Sequence, residues 1–189
     1  MPADPDTRAE FNADSEHPAA RFAADCALQH DVCKSLLAAA DALPGALDRE
    51  AILFLSEIIS STWSAHIVFQ GEVIMPLIKQ RHENRPEFYD RFIPLSRQHI
   101  EISGANDEVI DCLEMAARGE AVESGMLGYV LRYAAERRRE HIEWEQALLG
   151  PLLPKTLTPV ERKIFAEWAA ANPWPFDGLN LGGAARSGI

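Results

Sequence analysis

Two segments of this chain repeat each other, and the repeat limits what the chain can fold into. His66 to Leu77 reads HIVFQGEVIMPL, and His141 to Leu152 reads HIEWEQALLGPL. Each opens with His-Ile, has an aromatic residue at its fourth place (Phe69, Trp144) and closes with Pro-Leu. The fifth place holds Gln70 in one and Glu145 in the other. On a helix, residues four apart lie about 40° apart around the axis and roughly 6 Å apart along it. Each His and its fifth-place partner therefore project from one face and can reach one metal ion.

Apolar residues at helical spacing fill the rest of the chain. A first helix is predicted from Pro18 to about Leu43, with Phe22, Cys26, His30, Cys33 and Leu37 as its stripe; Pro44-Gly45 ends it. A second runs from about Leu47 to Met75, and Pro76 must kink or stop it. A third opens with Asn84 as cap and Pro86 in its first turn, and ends near Gly119. The fourth spans Ser124 to Gly150. Thr158-Pro159-Val160-Glu161 has capping-box spacing and predicts a short fifth helix to about Ala171. No stretch alternates with period two, so no sheet is expected. The expected fold is all-α: an antiparallel up-and-down four-helix bundle with a short additional C-terminal helix. The bundle occupies residues 17–171, after a mobile arm over 1–16 and before an irregular tail over 172–189.

The totals exclude some partners. A net charge of −11 argues against nucleic acid and anionic membranes, which both need a basic footprint. Arg137 to Arg139 is flanked by Glu136 and Glu140 and reads as a surface charge cluster. Three cysteines without a Cys-x-x-Cys spacing do not make a disulfide framework, so a reducing cytoplasm is expected. The acidic N-terminus has no secretory pattern, and no apolar run approaches the ~18 residues of a membrane span.

Of the six histidines, four fall on apolar stripes, one per long helix: His30, His66, His99 and His141. Buried imidazoles need partners for their polar nitrogens, and a metal ion would satisfy several at once. The two halves match: His30 precedes His66, Gln70 and Pro76, and His99 precedes His141, Glu145 and Pro151. Such a His-rich, carboxylate-poor set suits iron, zinc or manganese better than calcium or magnesium. A ferritin-like site needs Glu-x-x-His twice, whereas the residues three before the four histidines are Ala27, Trp63, Ser96 and Arg138.

Over residues 18–170 this pattern resembles the hemerythrin-like family of HHE cation-binding domains. The family carries a His on the first helix, His-x-x-x-Glu on the second, one or two His on the third and His-x-x-x-Glu/Asp on the fourth. The resemblance implies an up-and-down bundle holding two iron ions. His30 and His66 would bind one, His99 and His141 the other, and Glu145 would bridge. It also implies a small diatomic or peroxide ligand: a protein that binds or reacts with dioxygen, peroxide or nitric oxide, or that handles iron.

The chain departs from the family in two places. Gln70 stands where a second bridging carboxylate belongs, and Leu95 and Ser103 flank His99 where oxygen carriers have a further histidine. A neutral Gln offers an oxygen but no charge to offset the repulsion of two cations. The first-half position is therefore weaker, or the site holds a single ion. Glu72 and Glu57 point to other faces of the helix. A metal-poor regulatory or interaction module, and an oxidative enzyme with an organic substrate, remain alternatives. Cys26 and Cys33, one turn either side of His30, are small core residues, redox groups or a soft ligand. Trp63 and Trp144 are expected to wall the site.

Overall fold

The computed structural model describes residues 17–45, 49–82, 90 and 92–173. The expected arm, the Asn84 cap and most of the tail lie outside them. Among the described residues every regular element is a helix. They are α1 (Pro18–Ala42), α2 (Arg49–Phe69), a π turn (Gln70–Ile74), α3 (Met75–Arg81), α4 (Ile93–Ala117), α5 (Ser124–Leu148), a 3-10 turn (Gly150–Leu152) and α6 (Pro159–Ala171). Each of the four long helices, α1, α2, α4 and α5, packs against two others: α1 meets α2 and α5, and α4 meets α2 and α5.

The ends follow from local chemistry. His17 caps α1, its Nδ1 accepting from the Ala19 N–H at 3.1 Å, and Pro18 needs no N–H partner in the first turn. Gly119 takes φ 76°, which a side chain disfavours, and lets the Glu120 N–H reach the Met115 carbonyl at 3.1 Å. Thr158 and Glu161 form the capping box their spacing predicts. Pro76 does not stop the helix. The chain widens into the π turn instead, where the Met75 N–H bonds the Gln70 carbonyl five residues back. The missing N–H of Pro76 then falls at the start of α3, where it costs little.

Helix α1 turns a slightly different face inward than its predicted stripe. Phe22, Asp25, Cys26, Gln29, Val32, Cys33, Leu36 and Ala40 are buried, while His30 is half-buried and Leu37 exposed. The stretch Arg49–Arg81 is long and apolar enough to cross a membrane, yet half of its most apolar window is buried inside the protein.

Two apolar clusters fill the core. One gathers Val32, Leu36, Ile52, Ile58, Ile59, Val109, Leu113 and Leu131. The other gathers Phe22, Cys26, Phe69, Ile74, Leu95, Ile142, Leu149 and Phe165. Every long helix carries buried polar side chains close to where one cluster gives way to the other: Asp25 and Gln29, Thr62 and His66, Asn106, and Arg138, His141 and Glu145. Burying so many polar groups is unfavourable unless they satisfy one another, so this layer is where function is to be sought.

Candidate metal centre

Four side chains from three helices converge in this layer. His66 comes from α2, His99 from α4, and His141 and Glu145 from α5, and one donor atom of each lies within 4.8 Å of all the others. Around the carboxylate, His141 Nε2 lies 2.8 Å and His99 Nε2 3.4 Å from Glu145 Oε1, while His66 Nε2 is 3.3 Å from Oε2. A metal binding nitrogen at about 2.0–2.1 Å in a tetrahedron sets neighbouring donors ~3.4 Å apart. The donor set is thus close to the size a single ion requires. His141 Nε2 and Glu145 Oε2 are buried and have no hydrogen-bond partner, because their close contacts are misaligned for one. Buried orphans of this kind fit a ligand site better than a packing site.

The imidazoles are turned inward by what holds their outer nitrogens. His66 Nδ1 donates to Asp25 Oδ2 at 2.5 Å, and His141 Nδ1 donates to Gln98 Oε1 at 3.0 Å. Each bond leaves Nε2 aimed at the centre, the arrangement by which metal-binding histidines are oriented. Trp63 stacks on His66 with ring centroids 4.9 Å apart and meets His99 and His141 edge-on. Its indole N–H donates to Ser103 Oγ at 3.0 Å, so the ring is fixed as a wall. Trp144 is 51% exposed and does not line the centre. His99 is the one open member, with 20% of its side chain exposed, while His66, His141 and Glu145 are sealed.

Charge is concentrated here. Burial by itself lowers the basicity of His66, but the Asp25 and Glu145 carboxylates outweigh it and hold the imidazole up to about 10. Glu145 is held well below its ordinary value: burial opposes ionisation, and the surrounding histidines, His66 first, reverse that. His141 goes down, mainly through burial. Asp25 and Glu145, on either side of the His66 ring, thus favour its charged form. A divalent ion can take the place of the Nε2 proton of His66.

Gln70 does reach the centre. Its amide nitrogen donates to Glu145 Oε1 and lies 3.3 Å from His66 Nε2. The NH2 end of the amide thus faces the cluster, as a donor.

His30 is not brought to this group. The inward place on α1 belongs to Asp25 and Gln29, which are fully buried, and Asp25 engages the far nitrogen of His66. His66 consequently turns toward His99, His141 and Glu145, and the described residues gather one metal-sized group rather than two. Nor do the cysteines contribute a ligand. Burial raises both thiols, Cys33 to about 11 and Cys26 further under the added repulsion of Asp25 and Glu145, so they stay protonated and pack as small apolar groups. All three cysteines are free. Glu72 points outward and accepts from the Trp168 indole at 2.7 Å.

Arg138 is the largest departure from the sequence reading. Arg137 pairs with Glu140 and Arg139 with Glu136 on the surface, but Arg138 between them is fully buried. Its guanidinium donates to Gln29 Oε1, Thr62 Oγ1, the Ile59 carbonyl and Asn106 Oδ1, at 2.9–3.3 Å. It therefore ties α5 to each of the other long helices. Burial lowers its pKa to about 10, which leaves it charged at neutral pH. The signal that could have revealed it is its spacing: three residues before His141, it shares the ligand's helix face. Comparison with protein-family models, with curated proteins and with solved structures finds no match for this chain.

Proposed function

We propose that this chain is a hemerythrin-like metal protein that holds one transition-metal ion, with His66, His99, His141 and Glu145 as its ligands. In this reading the four long helices form an antiparallel up-and-down bundle. Cluster membership supports that: early residues of α1 (Phe22, Cys26) pack with late residues of α2 and α5 (Phe69, Ile142) and early residues of α4 (Leu95). Iron is the working metal, since imidazoles with one carboxylate and open positions suit non-haem iron; zinc or manganese would fit the same donors.

The observation that carries the reading is the convergence of three imidazole Nε2 atoms on a sealed carboxylate, with His141 Nε2 and Glu145 Oε2 orphaned. Bound there, iron would supply one-electron redox chemistry and Lewis acidity toward a small ligand such as dioxygen, peroxide or nitric oxide. The chain's own residues define the rest. Asp25 and Gln98 keep the Nδ1 protons of His66 and His141, Trp63 excludes water from one side, and the Gln70 amide presents a hydrogen-bond donor to the centre. The half-open His99 marks the side from which a small ligand arrives. A cytoplasmic setting goes with this reading, and the three unpaired thiols support it.

The test is metal analysis of protein produced with ample iron, with visible spectra before and after peroxide. One iron per chain and a peroxide-dependent change in the spectrum are expected. A folded protein that retains no transition metal overturns the reading.

A further inference from the structure

The buried Arg138 is joined to the candidate metal centre by an unbroken chain of hydrogen bonds. Arg138 Nη1 donates to Gln29 Oε1 at 2.9 Å. The other end of that amide, Gln29 Nε2, donates to Asp25 Oδ1 at 3.3 Å and to the Thr62 carbonyl at 3.0 Å. Asp25 Oδ2 in turn accepts from His66 Nδ1 at 2.5 Å. Arg138, Gln29, Asp25 and His66 are all buried.

The direction of this chain is fixed at one end. A guanidinium carries only donors, so it can face only the oxygen of the Gln29 amide. With the oxygen so committed, the NH2 end must face Asp25 and Thr62. That bond occupies Oδ1 of Asp25 and leaves Oδ2 as an acceptor for His66. His66 must then carry its proton on Nδ1 and present Nε2 to the centre. The same guanidinium lies over the Trp63 ring, 5.2 Å from its centroid, and that ring also stacks on His66.

We propose that Arg138 and Gln29 are positioning residues for the metal centre: they set the orientation of Asp25, and through it the ring nitrogen that His66 offers to the ion. This rests on the metal reading above. Tying the helices together explains the bonds of Arg138 to Ile59 and Asn106. It does not explain why the one amide it orients is the one that holds Asp25.

The test uses the full chain loaded with cobalt(II), whose visible bands report ligand geometry. Gln29→Met is close in volume, breaks the chain and leaves the other bonds of Arg138 in place. It should weaken cobalt binding about tenfold, at the low end of the effect of removing an outer partner of a metal-bound histidine, and shift the visible bands. Asn106→Leu removes a bond of Arg138 that lies off the chain; it should lower the melting temperature and leave the bands where they are. Unchanged affinity and bands in Gln29→Met overturn the proposal, and so does an equal shift of the bands in both variants. Should either variant fail to fold, histidine-ring nitrogen NMR of the native zinc-loaded protein decides the matter: Nδ1 protonated and Nε2 ligated on His66 is expected, and ligation through Nδ1 overturns the proposal. If the native protein takes up neither cobalt nor zinc, the metal reading itself has failed, which is distinct from metal uptake with an indifferent Gln29.

Discussion

Asp25 Oδ2 and His66 Nδ1 lie 2.5 Å apart, joining α1 to α2 in a part of the core closed to solvent. The pair decides which nitrogen of His66 is free for chemistry. Asp25→Asn keeps the shape but removes the charge that supports the ring. Loss of such an outer partner lowers metal affinity roughly 10–100-fold, and chelator competition should show a drop in that range. An affinity within twofold of the native value would mean the carboxylate only fills space.

Gln70→Glu tests how many ions the centre accommodates. In a two-iron arrangement this change would complete the second bridge and raise occupancy toward two. Here Gln70 borders the same group as Glu145, and His30 stands outside it. The variant should stay at one metal per chain and bind it more tightly, by about tenfold, the scale of one added charge-assisted contact of ~1.5 kcal/mol. His30→Ala should leave both quantities alone. Two metals per chain in the glutamate variant, counted by elemental analysis, would speak for the second site.

Trp63 offers an optical reporter. Its ring stacks on His66 and contacts the other two histidines, whereas Trp144 is solvent-exposed and Trp168 stacks on Phe165. Cobalt or iron should quench part of the native fluorescence, and Trp63→Phe should abolish the metal-dependent part. Quenching that survives in the variant would place the ion away from His66.

Acid should loosen α6 before it reaches the core. The Glu161 carboxylate sits below its usual 4.5, first because it accepts from the Thr158 N–H at 2.7 Å and further because Arg81 pairs with it at 2.6 Å. A lowered folded-state value gives stability that is complete above about 4.5 and is lost as pH falls through the folded value. The melting-temperature difference between native protein and Glu161→Ala should therefore be full at pH 6–7 and shrink below pH 4.5. A difference independent of pH would show that the charge plays no part. The neighbouring Thr158→Ala, which removes the reciprocal cap, should cost about 1 kcal/mol at any of these pH values.

The helices were legible because they follow from punctuation and period: Pro18, Pro44-Gly45, Gly119 and Thr158-Pro159 all mark ends near where the structure has them. His66, His99, His141 and Glu145 were legible because one-turn spacing and an internal repeat place them without tertiary information. What the sequence concealed is rotational. A stripe through Phe22, Cys26 and Cys33 passes within a fraction of a turn of both His30 and Gln29, and only packing against α2 and α5 selects Gln29. Arg138 was hidden by its neighbours. An Arg-Arg-Arg run looks like a solvated face until the middle residue meets the acceptors from α1, α2 and α4, which lie far away in sequence. The same holds for Asp25, whose role exists only once His66 is beside it.

The π turn at Gln70–Ile74 bears on how the chain tolerates changes of length. A π turn accommodates one more residue than an α turn, so the segment behaves as a single-residue insertion absorbed without a loop. Deleting one residue there would let α2 and α3 close into one regular helix, with α3 keeping nearly its present face, because the wider turn spends one more residue on almost the same rotation. Leu77 and Ile78 would stay in the core and Arg81 would stay near Glu161. The loss would be felt inside the five-residue stretch itself, where Gln70 meets Glu145.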